Sequence, residues 1–322
     1  MNNFIYENRT KVYFGQGCVK EFLACLVRDA GNIMLAYGQG SVKRNGIYDE
    51  VLNILMKEGK HVTEFPGIMP NPTYQKVMEG ARLAREEKTE MILGVIVTTA
   101  GTGSECNGAA VITNEEQKVK TGQDYPKCNP AFALMDPAYT FSVPGGQMVS
   151  GAFDSLSHMM EAYFSEPDEQ NVSDEISEAL MRSVIKNIRQ AVRDPKDYTV
   201  RSNLLWSSAM SENRLIKLGK RCDFACHLME HQLSAYTGCS HSQGMSVLQP
   251  VYYRHIYRDG LDKFARFARN VWMIHEEGRN REELAEAGID ALADLIRETG
   301  LPARLREIGI KGQGQLKEIA DS

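Results

Sequence analysis

The hydrophobic pattern of this chain changes once, near residue 145, and that change constrains the fold more than any other feature. Before it, short apolar runs such as "NIMLAYG" alternate with segments of helical spacing such as "NGIYDEVLNILMKEG". Such alternation predicts a parallel sheet with helices on its faces. After a glycine-rich boundary, nearly every long segment has helical periodicity. We therefore predict an α/β nucleotide-binding domain over residues 1–146 and an all-helical domain over residues 147–322.

Charge and hydropathy narrow the classes of partner. The formal net charge of −5 argues against nucleic acid as the main partner, because phosphate binding favours a basic surface. The chain has no apolar run of about 18 residues, so we predict no membrane partner. The polar start "MNNFIYENRT" has no signal-peptide core, and the seven cysteines are scattered. Together these features predict a reduced protein in the cytoplasm.

Three of the seven histidines fall within the fifteen residues of "HLMEHQLSAYTGCSH". His227 and His231 are four residues apart, so a helix would place both on one face. Asp154 and His158 have the same spacing further upstream. If these segments converge, a carboxylate and several imidazoles would suit a divalent zinc, iron, cobalt or nickel ion. The alternative is a helical core that contains hydrogen-bonded histidines, and the spacing alone does not separate the two.

The loop "YGQGSVKRNG" follows an apolar run and precedes a helix-like segment. Gly38 and Gly40 would allow the backbone to approach a ligand closely, and Ser41 would open a helix whose N-terminus can bind a phosphate. The alternative is an ordinary tight turn between a strand and a helix. If the loop binds a dinucleotide, its composition favours NADP(H) over NAD(H). Gln39 offers no acid for a ribose 2′-hydroxyl, and two basic residues, Lys43 and Arg44, follow it.

A second loop, "VTTAGTGSE", is rich in small and hydroxyl-bearing residues. Its glycines would permit close approach to a ribose or phosphate, and its hydroxyls could line that site. The alternative is a plain turn in which Ser104 caps a helix. The candidate cofactor-binding residues in this loop are Thr98, Thr99, Thr102 and Ser104.

Taken together, these stretches resemble the iron-dependent (group III) alcohol dehydrogenases, in particular their NADPH-dependent butanol dehydrogenase branch. The resemblance also includes "MDPAYTFSVP" and "GAFDSLSHMMEAYF", and it runs over nearly the whole chain. It implies a Rossmann-like nucleotide-binding domain followed by an all-α metal-binding domain, the fold shared with dehydroquinate synthase. It also implies a homodimer that catalyses reversible, NAD(P)H-linked hydride transfer between a primary alcohol such as butanol and its aldehyde.

The resemblance further assigns roles to individual residues. It implies one divalent metal ion, Fe²⁺ or Zn²⁺, bound by Asp154, His158, His227 and His241. His231 would lie beside the substrate and the nicotinamide ribose as a member of a proton relay. The cofactor-binding residues that it implies are Gly38, Gly40, Ser41, Thr98, Thr102, Ser104 and, less directly, Lys120.

One piece of the family pattern is absent. After a strand such as "EMILGV" the family has a Gly-Gly-Gly-Ser turn and a helix that binds the cofactor pyrophosphate, whereas here the chain continues directly into "IVTTAGTGSE". Neighbouring parallel strands cannot be joined without a crossover. Either the segment is truly deleted, or the natural chain is longer than these 322 residues, and "LKEIADS" also stops where relatives continue into a last helix. We favour the longer chain, because an open sheet edge and an uncovered sheet face are hard to stabilise.

Two other functions fit the same sequence features. A glycerol dehydrogenase or another polyol dehydrogenase of the same fold would share the two-domain plan. A true deletion of the glycine-rich segment would instead leave a catalytically impaired relative that binds a metal or a nucleotide.

Overall fold

The structure is a computed structural model that describes residues 1–90, 93–167 and 169–321. It comprises two compact units. The first, called the α/β unit below, contains Arg9–Thr98 and Ser104–Ser142. The second, the helical unit, contains Met1–Asn8, Thr99–Gly103 and the chain from Val143 onward. Both units are therefore discontinuous in sequence.

The α/β unit alternates strands and helices as its hydrophobic pattern predicts. Its strands are β1 Lys11–Phe14, β2 Asn32–Ala36, β3 His61–Phe65, β4 Gly94–Ile96, β5 Ala109–Asn114, β6 Val119–Asp124 and β7 Phe132–Met135. Its helices are α1 Cys18–Leu26, α2 Ser41–Arg44, α3 Ile47–Lys57 and α4 Tyr74–Glu86. β2 pairs with β3 in parallel, and β7 pairs in parallel with both β1 and β4. β5 and β6 form an antiparallel hairpin.

The two parallel ladders, β2–β3 and β1–β7–β4, are not joined to each other within the described residues. Ile33 and Leu35 of β2 and Gly94 and Ile96 of β4 line one cavity of about 140 Å³, together with apolar side chains of α1 and α3. The cavity therefore lies between two strand edges that have no β partner in the described part of the chain. The expected strand "EMILGV" is only partly visible, because Met91 and Ile92 lie outside the described residues.

The helical unit contains helices and connecting segments, with one isolated β-bridge between Glu166 and Arg221, and no strand among its described residues. The helices are α5 Gly145–Tyr163, α6 Val172–Arg193, α7 Tyr198–Glu212, α8 Ala225–Thr237, α9 His241–Ile256, α10 Leu261–Asn270, α11 Arg281–Glu298 and α12 Gln313–Ala320. Side-chain caps fix several of their starts: Asn171 accepts a hydrogen bond from the Asp174 amide, and Asp197 accepts one from the Val200 amide. Across the described chain, the helices are too short or too polar to cross a bilayer. A parallel-sheet unit and a helical unit confirm the predicted fold class.

α5 is the central helix of the helical core. Phe153, Leu156 and Met160 are fully buried on it, and it packs against α6, α7 and α9. Burial on nearly all sides leaves the helix little freedom to shift, since a packed interior resists small displacements. Polar side chains that project from α5 are therefore held in fixed positions.

A buried ionic network holds the C-terminal end of α5. Lys220 donates hydrogen bonds to the carbonyls of Ala162 and Tyr163 and pairs with Asp174 on α6, which also pairs with Lys263. The last carbonyls of a helix have no partner within the helix, so Lys220 satisfies two of them and offsets the helix dipole. Removing one partner of such a buried pair typically costs about 3–5 kcal/mol.

Candidate metal centre

Three helices bring one carboxylate and three imidazoles together. Asp154 and His158 project from one face of α5, His227 lies in the first turn of α8, and His241 is the first residue of α9. One ligand atom from each of the four side chains lies within 4.8 Å of all the others. The convergence expected from the sequence is therefore present in the structure.

The rings of the cluster are close to one another. The His158 and His227 ring centroids are 4.7 Å apart and the rings are nearly parallel, while those of His227 and His241 are 4.9 Å apart. Oδ1 of Asp154 lies 3.5 Å from Nε2 of His241. Atoms at these separations can share one ion without a rearrangement of the helices.

Several polar atoms at the centre of this cluster are buried without a hydrogen bond. Within the described residues, Oδ1 of Asp154, Nδ1 of His158 and Nε2 of His227 have no hydrogen-bond partner. Buried polar groups are nearly always hydrogen-bonded, because an unpaired one loses its hydration without compensation. These atoms thus do not fit the alternative of hydrogen-bonded core histidines. A bound cation would satisfy all three, and a set of three imidazoles and one carboxylate suits Zn²⁺ or Fe²⁺.

The histidines also have the protonation state that a metal ion requires. Burial lowers the pKa of His158 to about 4, and burial together with the neighbouring imidazoles holds the pKa of His227 well below its ordinary value. Both rings are therefore neutral at pH 7 and carry a lone pair for a ligand bond.

Two acidic residues that the sequence interpretation omitted contact these histidines. Oε2 of Glu161 lies 2.6 Å from Nδ1 of His227, and Glu230 forms a hydrogen bond with Nδ1 of His241. Glu161 is seven residues after Asp154 and three after His158, so a search for polar residues on one helical face would have included it. Glu230 lies three residues after His227, so the same search would have included it, but its partner His241 belongs to the next helix.

His231 lies beside the cluster and not within it. It is half-buried one turn after His227 on α8, and its ring centroid is 5.7 Å from that of His241. With Glu230 and His241 it forms a second group of closely spaced potential ligands. Its position is compatible with the relay role that the resemblance implies, which stays a prediction.

The first glycine loop lines a cavity in the α/β unit. Gly40 has a φ of 110°, a left-handed conformation that favours glycine, and Ser41 begins the short helix α2 directly after it. Gly38 lines a cavity of about 160 Å³ together with Tyr37, Tyr48 and Thr98. The cavity lies just beyond the carboxyl ends of β2 and β4, where ligands bind in open α/β sheets. Two of the predicted cofactor residues, Gly38 and Thr98, thus share one concave site.

Lys43 is one of the two basic residues that favour a 2′-phosphate in the sequence, but in the structure it has an anionic partner. Its Nζ lies 3.3 Å from Oε2 of Glu64 and 4.2 Å from the centroid of the Tyr48 ring. Because β2 and β3 run parallel, Glu64 near the end of β3 reaches the loop that follows β2. This pairing reduces the positive charge available to a ligand phosphate.

The second loop is divided between the two units. Thr99 and Thr102 belong to the helical unit, where the Gly101 amide donates to Ser208 Oγ at 2.7 Å. A Cβ at Gly151 of α5 would lie only 2.0 Å from the Ala100 carbonyl, so a glycine is needed for this close approach. Thr98 and Ser104 belong to the α/β unit, and Ser104 is the first residue of a 3₁₀ turn.

The structure does not bring all the predicted cofactor residues to one place. Lys120 is buried on β6 and is not among the residues that line the cavity of Gly38 and Thr98. Its assignment to the cofactor rests on the resemblance alone.

Comparison with known families gives a consistent result over the chain. The model of the C-terminal region of the Fe-containing alcohol dehydrogenase family matches residues 148–322. The iron-containing alcohol dehydrogenase model matches residues 9–95 and 93–137. The two pieces of this second match, residues 9–95 and 93–137, meet at the position where the sequence suggests an absent segment.

Two relatives illustrate the similarity in sequence. The NADH-dependent butanol dehydrogenase A of Clostridium acetobutylicum is 33% identical over 361 residues, which cover 99% of this chain and 92% of the relative. The NADPH-dependent aldehyde reductase YqhD of Escherichia coli is 29% identical over 355 residues, which cover 97% of this chain and 90% of the relative. The first alignment has 361 positions against 322 residues here, so at least 39 of its positions are gaps in this chain.

Comparison with solved structures shows the same similarity in the fold. The crystal structure of NADH-dependent butanol dehydrogenase A from Thermotoga maritima superimposes with a TM-score of 0.94 at 32% identity, covering 100% of this chain and 90% of that chain. A crystal structure of YqhD from Escherichia coli gives a TM-score of 0.92 at 28% identity, covering 100% of this chain and 94% of that chain.

Proposed function

Because the chain belongs to the iron-containing alcohol dehydrogenase family, we propose that it is a metal-dependent, NAD(P)H-linked alcohol dehydrogenase. It interconverts an aldehyde and a primary alcohol such as butanol, in agreement with the names of its relatives. The observation that carries the proposal is the buried cluster of Asp154, His158, His227 and His241 with its unsatisfied ligand atoms. A polyol dehydrogenase is less favoured, because the 1,3-propanediol dehydrogenase of Citrobacter freundii is 26% identical over only 83% of this chain.

The four clustered side chains would hold one divalent ion, Fe²⁺ or Zn²⁺. When bound, such an ion acts as a Lewis acid toward the carbonyl oxygen of the aldehyde, while the nicotinamide cofactor supplies the hydride. The imidazoles of His158 and His227 are neutral and would not offset the positive charge of the ion, whereas the carboxylate of Asp154 would offset part of it. The helical packing around α5 keeps the ligands in place without reorganisation during the reaction.

The cofactor belongs in the α/β unit, with its adenosine end at the loop of Gly38, Gly40 and Ser41. Thr98, Thr99, Thr102 and Ser104 are proposed to contact its ribose and phosphates, and Lys120 is a further candidate. The homodimer and the cytoplasmic location that the sequence implies stay predictions.

The direct test of the function is aldehyde-dependent oxidation of NADPH and NADH by the natural protein, whose mass is verified first, and the reaction is followed through the absorbance of the nicotinamide. We expect turnover with butanal, loss of turnover after chelation, and recovery when Zn²⁺ or Fe²⁺ is added back. Turnover that persists after elemental analysis shows complete removal of metal would contradict the proposal.

We propose that His231 belongs to the proton relay. Replacing His231 with alanine should leave the metal content unchanged and lower kcat by roughly 100-fold, the lower end of general acid–base contributions. The variant should also lose the pH dependence that this imidazole imposes on kcat. His255→Ala, which removes an exposed histidine of α9, is the matched control. An unchanged pH–rate profile in His231→Ala would remove the residue from the relay.

We propose a preference for NADP(H) that depends on Arg44 more than on Lys43. The Arg44 guanidinium lies 3.8 Å from the position of a Cβ on Gly40, whereas Lys43 is paired with Glu64. A charge-assisted hydrogen bond contributes about 1.5–3 kcal/mol, so Arg44→Ala should lower kcat/KM for NADPH at least about tenfold and barely affect NADH. Lys43→Ala should have the smaller effect. Equal losses with both cofactors in Arg44→Ala would show that the arginine does not select for the 2′-phosphate.

A further inference from the structure

We propose that Glu161 and Glu230 are the residues that position the metal-binding histidines. Each carboxylate holds the Nδ1 atom of one imidazole, so that the opposite nitrogen, Nε2, is directed toward the ion. This inference rests on the proposed function, because it assumes that His227 and His241 bind a metal.

Glu161 is placed to fix His227 by three contacts. It is 6% exposed on α5, and Oε2 lies 2.6 Å from Nδ1 of His227. Its two oxygens also accept hydrogen bonds from the backbone amides of Cys226 and His227, each at 3.1 Å. These amides belong to the first turn of α8, which lacks a side-chain cap from Phe224. Glu161 therefore holds both the ring and the backbone of His227, and it accepts from two amides that have no partner within the helix.

The contact at Nδ1 determines which nitrogen of His227 is left for the ion. A neutral imidazole that donates its proton from Nδ1 to a carboxylate has its lone pair on Nε2. In His227 that Nε2 atom is buried and has no hydrogen-bond partner within the described residues. The atom is thus turned toward the cluster and available as a ligand.

Glu230 repeats the arrangement for His241. Its side chain is fully buried on α8 and forms a hydrogen bond with Nδ1 of His241, at the start of α9. Nε2 of the same ring points to the cluster, 3.5 Å from Oδ1 of Asp154. A Cβ at Gly244 would lie 2.6 Å from Cγ of Glu230, so the lack of a side chain there makes room for this carboxylate. Two helices thus supply the same kind of support to two ligands.

A purely structural role predicts a different outcome from a positioning role. Carboxylates that hold the second nitrogen of a metal-binding histidine fix its tautomer and ring orientation, and their loss typically weakens metal binding about 10- to 100-fold. A carboxylate that only stabilises helix packing lowers the melting temperature without a specific effect on metal affinity. Glu178 is the matched control, a carboxylate that stabilises helix packing away from the metal-binding histidines. It is 5% exposed on α6 and pairs with Arg266 in the helical unit.

The test is titration of metal-free protein with Co²⁺, followed by the visible absorption of the bound ion at a temperature well below the melting transition. Glu161→Ala and Glu230→Ala should raise the Co²⁺ Kd about 10- to 100-fold. Glu161→Gln and Glu230→Gln, which keep an oxygen acceptor for Nδ1, should recover part of the affinity and of the wild-type spectrum. Glu178→Ala should lower the melting temperature and leave the Co²⁺ Kd unchanged.

The proposal would be overturned by a Co²⁺ Kd within twofold of wild type in both alanine variants, or by an equal loss of affinity in Glu178→Ala. Failure of the proposed function would be distinguishable from failure of the positioning role. It would appear as wild-type protein that binds one Co²⁺ with the expected spectrum but does not oxidise NADPH or NADH with any aldehyde.

Discussion

Replacement of His227 by alanine is expected to abolish metal retention and turnover together. His227 is central to the cluster, because its ring lies 4.7 Å from that of His158 and 4.9 Å from that of His241. Its side chain is also buried among the other three ligands. A Lewis acid at a developing alkoxide contributes several kcal/mol, and the loss of about 4 kcal/mol corresponds to a roughly thousandfold lower kcat.

Elemental analysis and aldehyde-dependent oxidation of NADPH measure the two effects on the same sample. The control is His255→Ala, an exposed histidine on α9 that should keep full metal content and activity. A circular dichroism melt of His227→Ala separates loss of the ion from loss of the fold. Full activity of His227→Ala without bound metal would contradict the assignment of the ligands.

The second large effect concerns the interrupted sheet of the α/β unit. A true deletion should leave little or no dehydrogenase activity, because the 322 residues lack the glycine-rich turn and the pyrophosphate-binding helix that the resemblance to the family implies. Within the described residues, β2 and β4 each present an unpaired edge to one cavity, and the family match is interrupted at residues 93–95. The cavity is where an additional strand would pair, and the interruption places the absent segment next to Val95 in the sequence.

A chimaera tests this expectation. The corresponding segment of a butanol dehydrogenase relative, inserted between Val95 and Ile96, should join the two ladders and raise NADPH-dependent turnover by at least about 100-fold, the contribution of positioning alone. A flexible glycine-serine linker of equal length is the control and should not restore turnover. A 322-residue chain that binds NADPH and turns over as fast as the chimaera would show that the crossover is dispensable.

The mass of the natural protein distinguishes a true deletion from a longer chain. The chain of 322 residues has a mass of 36.1 kDa, and 39 further residues at the same mean mass would add about 4.4 kDa. We expect protein isolated from its native source to have a mass near 40 kDa. A measured mass of 36.1 kDa would establish the deletion and favour the catalytically impaired relative.

Most of the helical site could be predicted from the sequence because its residues repeat at helical spacing. The pairs Asp154 with His158 and His227 with His231 each lie on one helical face, and a helix of known register fixes their directions. That these faces meet depends on helix packing, which spacing does not reveal. The resemblance to a family supplied that information, and the structure confirms the convergence.

Other features required the tertiary structure. Glu161 and Glu230 are two of 42 acidic residues, and although helical spacing places each near a candidate ligand, the sequence does not reveal which histidine each carboxylate contacts. In the sequence, Lys43 and Arg44 together favour a 2′-phosphate, but the parallel register of β2 and β3 brings Glu64 to Lys43. The division of the loop around Thr99 between two units also depends on long-range contacts that no local pattern encodes.

X-ray absorption spectroscopy of the Zn²⁺-loaded protein, combined with the metal content per chain, tests whether Asp154, His158, His227 and His241 bind one ion. We expect one ion per chain, bound by three imidazole nitrogens at about 2.0–2.1 Å and by a carboxylate oxygen at about 2.0–2.2 Å. The imidazole signal should weaken by one ring in His241→Ala. A sulfur ligand at about 2.3 Å, or an ion that keeps all its imidazoles when His241 is removed, would show that these four side chains do not form the metal site.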